Sequence, residues 1–244
     1  MAAGLVPASA MSPFGYVELV LDGHPVKWGA AVAGSGAIVT YAVADAAMTF
    51  PGARNCPAIT GLDPLLARNH VSRAAFDAEL DHAFGAWSEV ANIRFERSDA
   101  ARADIVIGAE AAPTGRAFTN VDYQATADLT KGPRAIRQSL ICLNPLTGWK
   151  IGFDGNLDVY DLRYALTHEI GHAIGLNHPG RAGELMDFRY REAFRTPQPG
   201  DIAGAVALYG PNPRLATVVP VVPILPAALP DSPAATTLGL GGMR

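Results

Sequence analysis

Long apolar runs, blocks of like charge and cysteines are all scarce in this 244-residue chain, and each scarcity excludes something. No uninterrupted apolar stretch approaches the ~20 residues that a membrane helix requires. The most apolar segment, residues 218–230, is broken by Pro220, Pro223, Pro226 and Pro230, which rules out a good spanning helix. Only 17% of residues are charged, 19 basic against 23 acidic, and no basic block stands out, so a nucleic-acid partner is not expected. Two cysteines, Cys56 and Cys142, are too few for a disulfide-rich scaffold. They are equally compatible with one disulfide and with two buried thiols. Residues 1–13 have neither a basic n-region nor a long apolar run, so a standard signal peptide is not expected there. Glycine- and aspartate-rich calcium repeats are missing as well.

What is present is a body of 49% apolar composition, enough for one sizeable core, placed here at residues 14–210. A flexible N-terminus, residues 1–13, is expected before it. A proline-rich apolar tail follows: seven of the 19 prolines fall between Pro211 and Pro233, and residues 211–244 read as extended or disordered.

Three of the six histidines occur in His168-Glu169-Ile170-Gly171-His172-Ala173-Ile174-Gly175-Leu176-Asn177-His178. Histidines four residues apart share one face of a helix, so His168 and His172 can grip one ion. Gly175 can adopt the left-handed conformation that ends a helix, bringing His178 back as third ligand. Three protein ligands with an open fourth position describe a catalytic zinc site, whereas four describe a structural one. Glu169 is placed to act as general base on a water at that position. Leu162, Ala165, Leu166, Ile170, Ala173 and Ile174 recur at helical spacing and predict a core-facing stripe, with Asp158 or Asp161 as N-cap. The remaining histidines, His24, His70 and His82, read as surface or hydrogen-bonded core residues.

On these residues the chain resembles the metzincin zinc endopeptidases, and most closely their matrixin branch. The resemblance implies a methionine turn after the third histidine. Glu184-Leu185-Met186-Asp187-Phe188 is the candidate, with Met186 as an apolar floor under the metal. It further implies an α+β, zincin-like fold: a twisted, mostly parallel five-stranded sheet with an antiparallel edge strand, an active-site helix and a C-terminal helix. Residues 37–43 match the first strand, Phe76 to Phe95 the first helix and following strand, residues 103–107 the next strand, and residues 201–210 the closing helix. Ser139 to Asn144, and within it Leu140, Ile141, Cys142 and Leu143, is expected to be the edge strand that pairs with an extended peptide.

The chain also departs from its relatives. Phe188 stands where serralysins and astacins carry a tyrosine that touches zinc, which favours three histidines plus water. No histidine lies between His82 and His168, so the second, structural zinc of animal matrixins is not expected; one of its ligands would fall near Cys142. Asp104 matches a matrixin calcium ligand, but the glycine-rich partners of that site are missing. A separate calcium candidate is Asp154, Asn156 and Asp158, whose alternating oxygens suit a hard cation, although the same run reads equally as a turn-rich loop before a helix. Arg189, Arg191 and Arg195 make the stretch after the methionine turn basic.

The function expected is zinc-dependent hydrolysis of peptide bonds in a protein or peptide substrate, by a monomer acting outside the cell or at its surface. The alternatives are a silent zinc-binding or adhesion module, and a zinc hydrolase of non-peptide amides.

Overall fold

The computed structural model describes residues 15–110, 115–125 and 132–215. The expected flexible N-terminus and nearly all of the proline-rich tail lie outside these residues. The strands are β1 (Val17–Glu18), β2 (Val20–Leu21), β3 (His24–Lys27), β4 (Ala37–Val43), β5 (Met48–Thr49), β6 (Ala58–Thr60), β7 (Ile93–Arg97), β8 (Ile105–Glu110), β9 (Ala117–Tyr123), β10 (Arg134–Leu143), β11 (Trp149–Lys150), β12 (Tyr160–Asp161) and β13 (Leu176–Asn177). The helices are α1 (Asp63–Arg68), α2 (Arg73–Val90), α3 (Leu162–Ala173) and α4 (Pro199–Tyr209).

Five strands form the expected sheet in the order β7-β4-β8-β10-β9. The first three junctions are parallel and the last, β10 with β9, is antiparallel. The short strands β3 and β6 extend it, β3 parallel to the start of β10 and β6 antiparallel to the end of β8. Helices α2 and α3 pack together on the sheet, burying Phe76, Leu80, Trp87, Leu166 and Ile170 with Ile105, Ile107 and Ile141 in one core. The Trp87 indole Nε1 donates to the Thr167 carbonyl at 2.9 Å, so its polar atom is satisfied inside that core. Among the described residues, no helix is long and apolar enough to cross a membrane.

The structure corrects one expectation drawn from the sequence. Leu140, Ile141, Cys142 and Leu143 do not form the edge strand: they belong to β10, which has β8 on one side and β9 on the other. Both faces of that segment are buried from Ser139 to Leu143, and an unbroken apolar run of this kind is what an interior strand requires. The antiparallel edge is β9, half-buried throughout and carrying the polar Thr119, Asn120 and Asp122.

The two cysteines form a disulfide, Cys56–Cys142, which ties the loop after β5 to the buried face of β10. Beside it lies Glu110, 4% exposed and with Oε2 lacking a hydrogen-bond partner among the described residues; burial raises its pKa above the ordinary carboxylate value.

Candidate metal centre

Helix α3 begins where a side chain can satisfy its free amides. Asp161 is the N-cap, accepting from Tyr164 N at 2.9 Å, while its second oxygen takes Gly152 N at 2.7 Å and the Arg195 guanidinium at 2.8 Å. The expected apolar stripe is buried in full. At the far end, Gly175 has φ +102°, and a Cβ there would run into the Val26 carbonyl oxygen, so only glycine allows the turn into β13. The carbonyls left over at the helix end find partners: Ala173 O accepts from the Trp28 indole at 2.8 Å, and Ile174 O from the Tyr209 hydroxyl at 2.7 Å.

That turn brings the three histidines together. His178 Nε2 lies 3.1 Å from His168 Nε2 and 3.1 Å from His172 Nε2. The other ring nitrogens are engaged elsewhere: His168 Nδ1 with Leu185 O at 2.8 Å and His172 Nδ1 with Leu176 O at 2.9 Å. Carbonyls accept only, so each Nδ1 carries the proton and each Nε2 turns a lone pair inward. Burial holds all three imidazoles down to about 4, neutral at pH 7 as metal ligands must be. Three neutral lone pairs this close repel unless something positive lies among them. Tetrahedral Zn–N bonds of ~2.0–2.1 Å imply N···N separations of about 3.3 Å, so the donor set fits zinc in kind and in spacing.

Glu169 lies next to the cluster, buried, with Oε2 accepting the Thr119 hydroxyl at 2.7 Å. Burial raises its pKa, an effect opposed by His172 and by the Thr119 hydrogen bond. Thr119 sits on β9, so the edge strand and the carboxylate are in direct register.

Met186, 2% exposed, packs against the helix between His168 and His172. Its seat depends on Gly171: a Cβ at that position would meet Met186 Cε at 3.1 Å and Trp87 Cζ2 at 3.0 Å, with Sδ closer still. The turn itself is held from α4. Asp201 accepts Leu185 N at 2.6 Å and Met186 N at 3.1 Å, and Glu184 accepts Gly200 N at 2.9 Å. Sequence reasoning missed Thr119, Asp201 and Glu184 as parts of this site. Only Gly171, a glycine between His168 and His172 in mid-helix, hinted that something presses against the helix there. The Phe188 and His178 rings meet edge to face, centroids 6.3 Å apart, and Phe188 has no oxygen to offer.

The calcium candidates do not converge. Asp154 Oδ1 and Asn156 O both bind the Lys150 ammonium, which also meets Glu192 Oε1 at 2.6 Å. Asn156 Oδ1 instead accepts Asp158 N at 3.1 Å. An internal cation therefore organises this loop. Asp104 is likewise occupied, accepting the amide and hydroxyl of Thr40, both at 2.8 Å. Two clusters of metal-ligating side chains occur among the described residues: the three histidines, and Cys56, Glu110 and Cys142, whose sulfurs are bonded to each other.

In front of the histidines opens a cleft of about 580 Å³, floored by Trp149, Tyr160 and Tyr164 and bounded by β9. Known proteins match the segment that builds it. Residues 65–210 fit the matrixin family model. The metalloendoproteinase 1-MMP of Arabidopsis thaliana is 32% identical over 139 residues, covering 54% of this chain and 37% of that protein. Rat stromelysin-2 (Rattus norvegicus) is 29% identical over 205 residues, 76% of this chain and 39% of its own. Pig interstitial collagenase (Sus scrofa) is 29% identical over 162 residues, 63% and 31% respectively. The chain thus spans between about three-tenths and two-fifths of the length of such relatives. The family match takes in α2, the helix of the histidines, the methionine turn and α4, and with it the chain belongs to the matrixin family.

Proposed function

We propose that the protein is a zinc-dependent endopeptidase, with His168, His172 and His178 holding one ion and Glu169 acting as general base. The observation that carries this reading is the convergence of three Nε2 atoms beside a buried carboxylate. A zinc ion held by these three histidines would supply Lewis acidity, which would lower the pKa of a water towards ~7 and polarise a carbonyl. Glu169 takes the proton of the attacking water and passes it to the leaving amine, a role for which its raised pKa suits it. The Thr119 hydroxyl holds the carboxylate in one orientation. Met186 keeps the underside of the site apolar and closed to water.

Strand β9 supports a peptide substrate over a small amide. Its outer side pairs with no other strand among the described residues, so its free backbone groups suit an extended chain laid across the cleft. Membership of a family of zinc metalloendopeptidases agrees with this. An intact Glu169 argues against a silent zinc-binding or adhesion module. We further place the catalytic unit at residues 14–210 and propose a monomer acting outside the cell or at its surface, where a disulfide persists.

The direct test is Glu169→Ala. The variant should keep one zinc per chain by metal analysis and lose ~10²–10⁴-fold in hydrolysis of an unfolded protein such as casein. If it cleaved as fast as wild type, Glu169 would not be the base. Full activity in an excess of chelator would remove zinc from the mechanism altogether.

A further inference from the structure

Two of the three arginines in the stretch after the methionine turn are spent on the protein itself: Arg195 is paired with Asp161 at 2.8 Å and Arg191 with Asp187 at 3.8 Å. The third, Arg189, lies over the Phe188 ring at 5.0 Å and does not line the cleft. One arginine lines the cleft among the described residues, and it is Arg116. Its guanidinium carbon stacks 4.1 Å from the Tyr160 ring centroid, on the floor of the cleft. No ion pair or hydrogen bond engages its side chain among the described residues; only its backbone carbonyl is used, by Asn144 N at 2.8 Å. Stacking holds a guanidinium by its face and leaves the N–H fork at its rim free, in the geometry that receives a carboxylate. The other charged groups of the cleft lining are already committed: Glu169 to Thr119, and Asp187 to Arg191.

Register fixes where such a carboxylate would come from. Thr119 is level with Glu169, and Arg116 precedes it by three residues, about 10 Å along an extended strand. An added strand pairs slightly more stably in the antiparallel sense. A peptide so laid on β9 has its C-terminal half running towards Arg116. Resting on the peptidase reading above, we propose that Arg116 is a specificity-determining residue that selects substrates with Asp or Glu at the second or third residue after the cut bond.

The test uses paired peptides, identical except for Glu or Gln at each of those two positions, and reads the ratio of kcat/KM within each protein, so that any general loss cancels. Wild type should prefer the acidic member of one pair by about tenfold, the scale of a charge-assisted bidentate contact. Arg116→Gln should bring the ratio to within twofold of one, and Arg116→Lys should keep part of the preference by charge without the stacked fork. A wild-type ratio near one at both positions, or an undiminished ratio in Arg116→Gln, would overturn the proposal. Failure to cut any peptide would instead count against the peptidase reading. In that case the affinity ratio of the same pairs, measured by fluorescence anisotropy, decides the role of Arg116 by the same criteria.

Discussion

Gly171→Ala sets two opposing effects against each other at the base of the histidine site. Alanine in mid-helix is favoured over glycine by roughly 1 kcal/mol, so α3 considered alone should gain. The added Cβ, however, falls within 3.1 Å of Met186 Cε and 3.0 Å of Trp87 Cζ2, and nearer still to Met186 Sδ. Trp87 is fully buried and anchored through its indole to Thr167 O, so it does not retreat. The methionine has to move, in a pocket where it is itself 2% exposed. Overpacking of this kind costs about 1–3 kcal/mol, which outweighs the helix term. With Sδ the nearest atom the cost falls at the upper end of that range, so the expected net loss is about 2 kcal/mol in zinc-free protein, or roughly 4–8 °C in Tm for a domain of this size. The assay is urea or thermal unfolding in EDTA, run as a cycle with Met186→Ala and the double variant. Once the thioether is gone the extra methyl should be tolerated, giving a coupling of about 1–2 kcal/mol. A Gly171→Ala protein as stable as wild type, or an additive cycle, would refute the seating of Met186 against the helix.

Three further outcomes are expected. Gly175→Ala combines a positive φ with a clash against the Val26 carbonyl, so it should cost about 3 kcal/mol or more and abolish stoichiometric zinc binding, since His178 no longer returns to the site; retention of one zinc per chain would contradict this. Reduction of Cys56–Cys142, which spans 86 residues, should lower stability by up to about 4.6 kcal/mol on loop entropy, read as the drop in Tm on adding dithiothreitol; no drop would mean that the bridge closes no loop in the unfolded chain. In EDTA, stability should fall as pH drops from 6.5 towards 4. The unfolded chain takes up protons on imidazoles that the folded site holds near 4, a bias of at most about 3 kcal/mol for buried His168. A urea midpoint that rose over this window more in wild type than in His168→Asn would reverse the sign and contradict the burial argument.

The site was legible in the sequence wherever its chemistry is local. Two histidines a helical turn apart, an N-cap at Asp161, a stop at Gly175 and a methionine eight residues past His178 all lie within one short segment, and helical period and turn chemistry suffice to read them. The edge strand was not legible, because the burial of Leu140 to Leu143 on both faces depends on β8 and β9. A strand carries no mark of its neighbours beyond its alternation. Thr119 and Glu169 are 50 residues apart, and Asp201 reaches back to Leu185 over 16, distances at which a polar residue in sequence has no visible partner. The oxygens of Asp154 to Asp158 suited a cation, and a cation is there. Composition could not distinguish a calcium ion from the ammonium of Lys150.

The Leu185 peptide unit has consequences for when the site can exist. Its carbonyl orients His168, while its N–H is held by Asp201 from the first turn of α4, and Tyr209 at the end of the same helix secures the exit of the histidine helix. A ribosome that has released all three histidines but not residues 199–209 therefore presents a nascent chain whose histidines lack their support. On the peptidase reading proposed above, competence to cut would arise only after the last helix has docked.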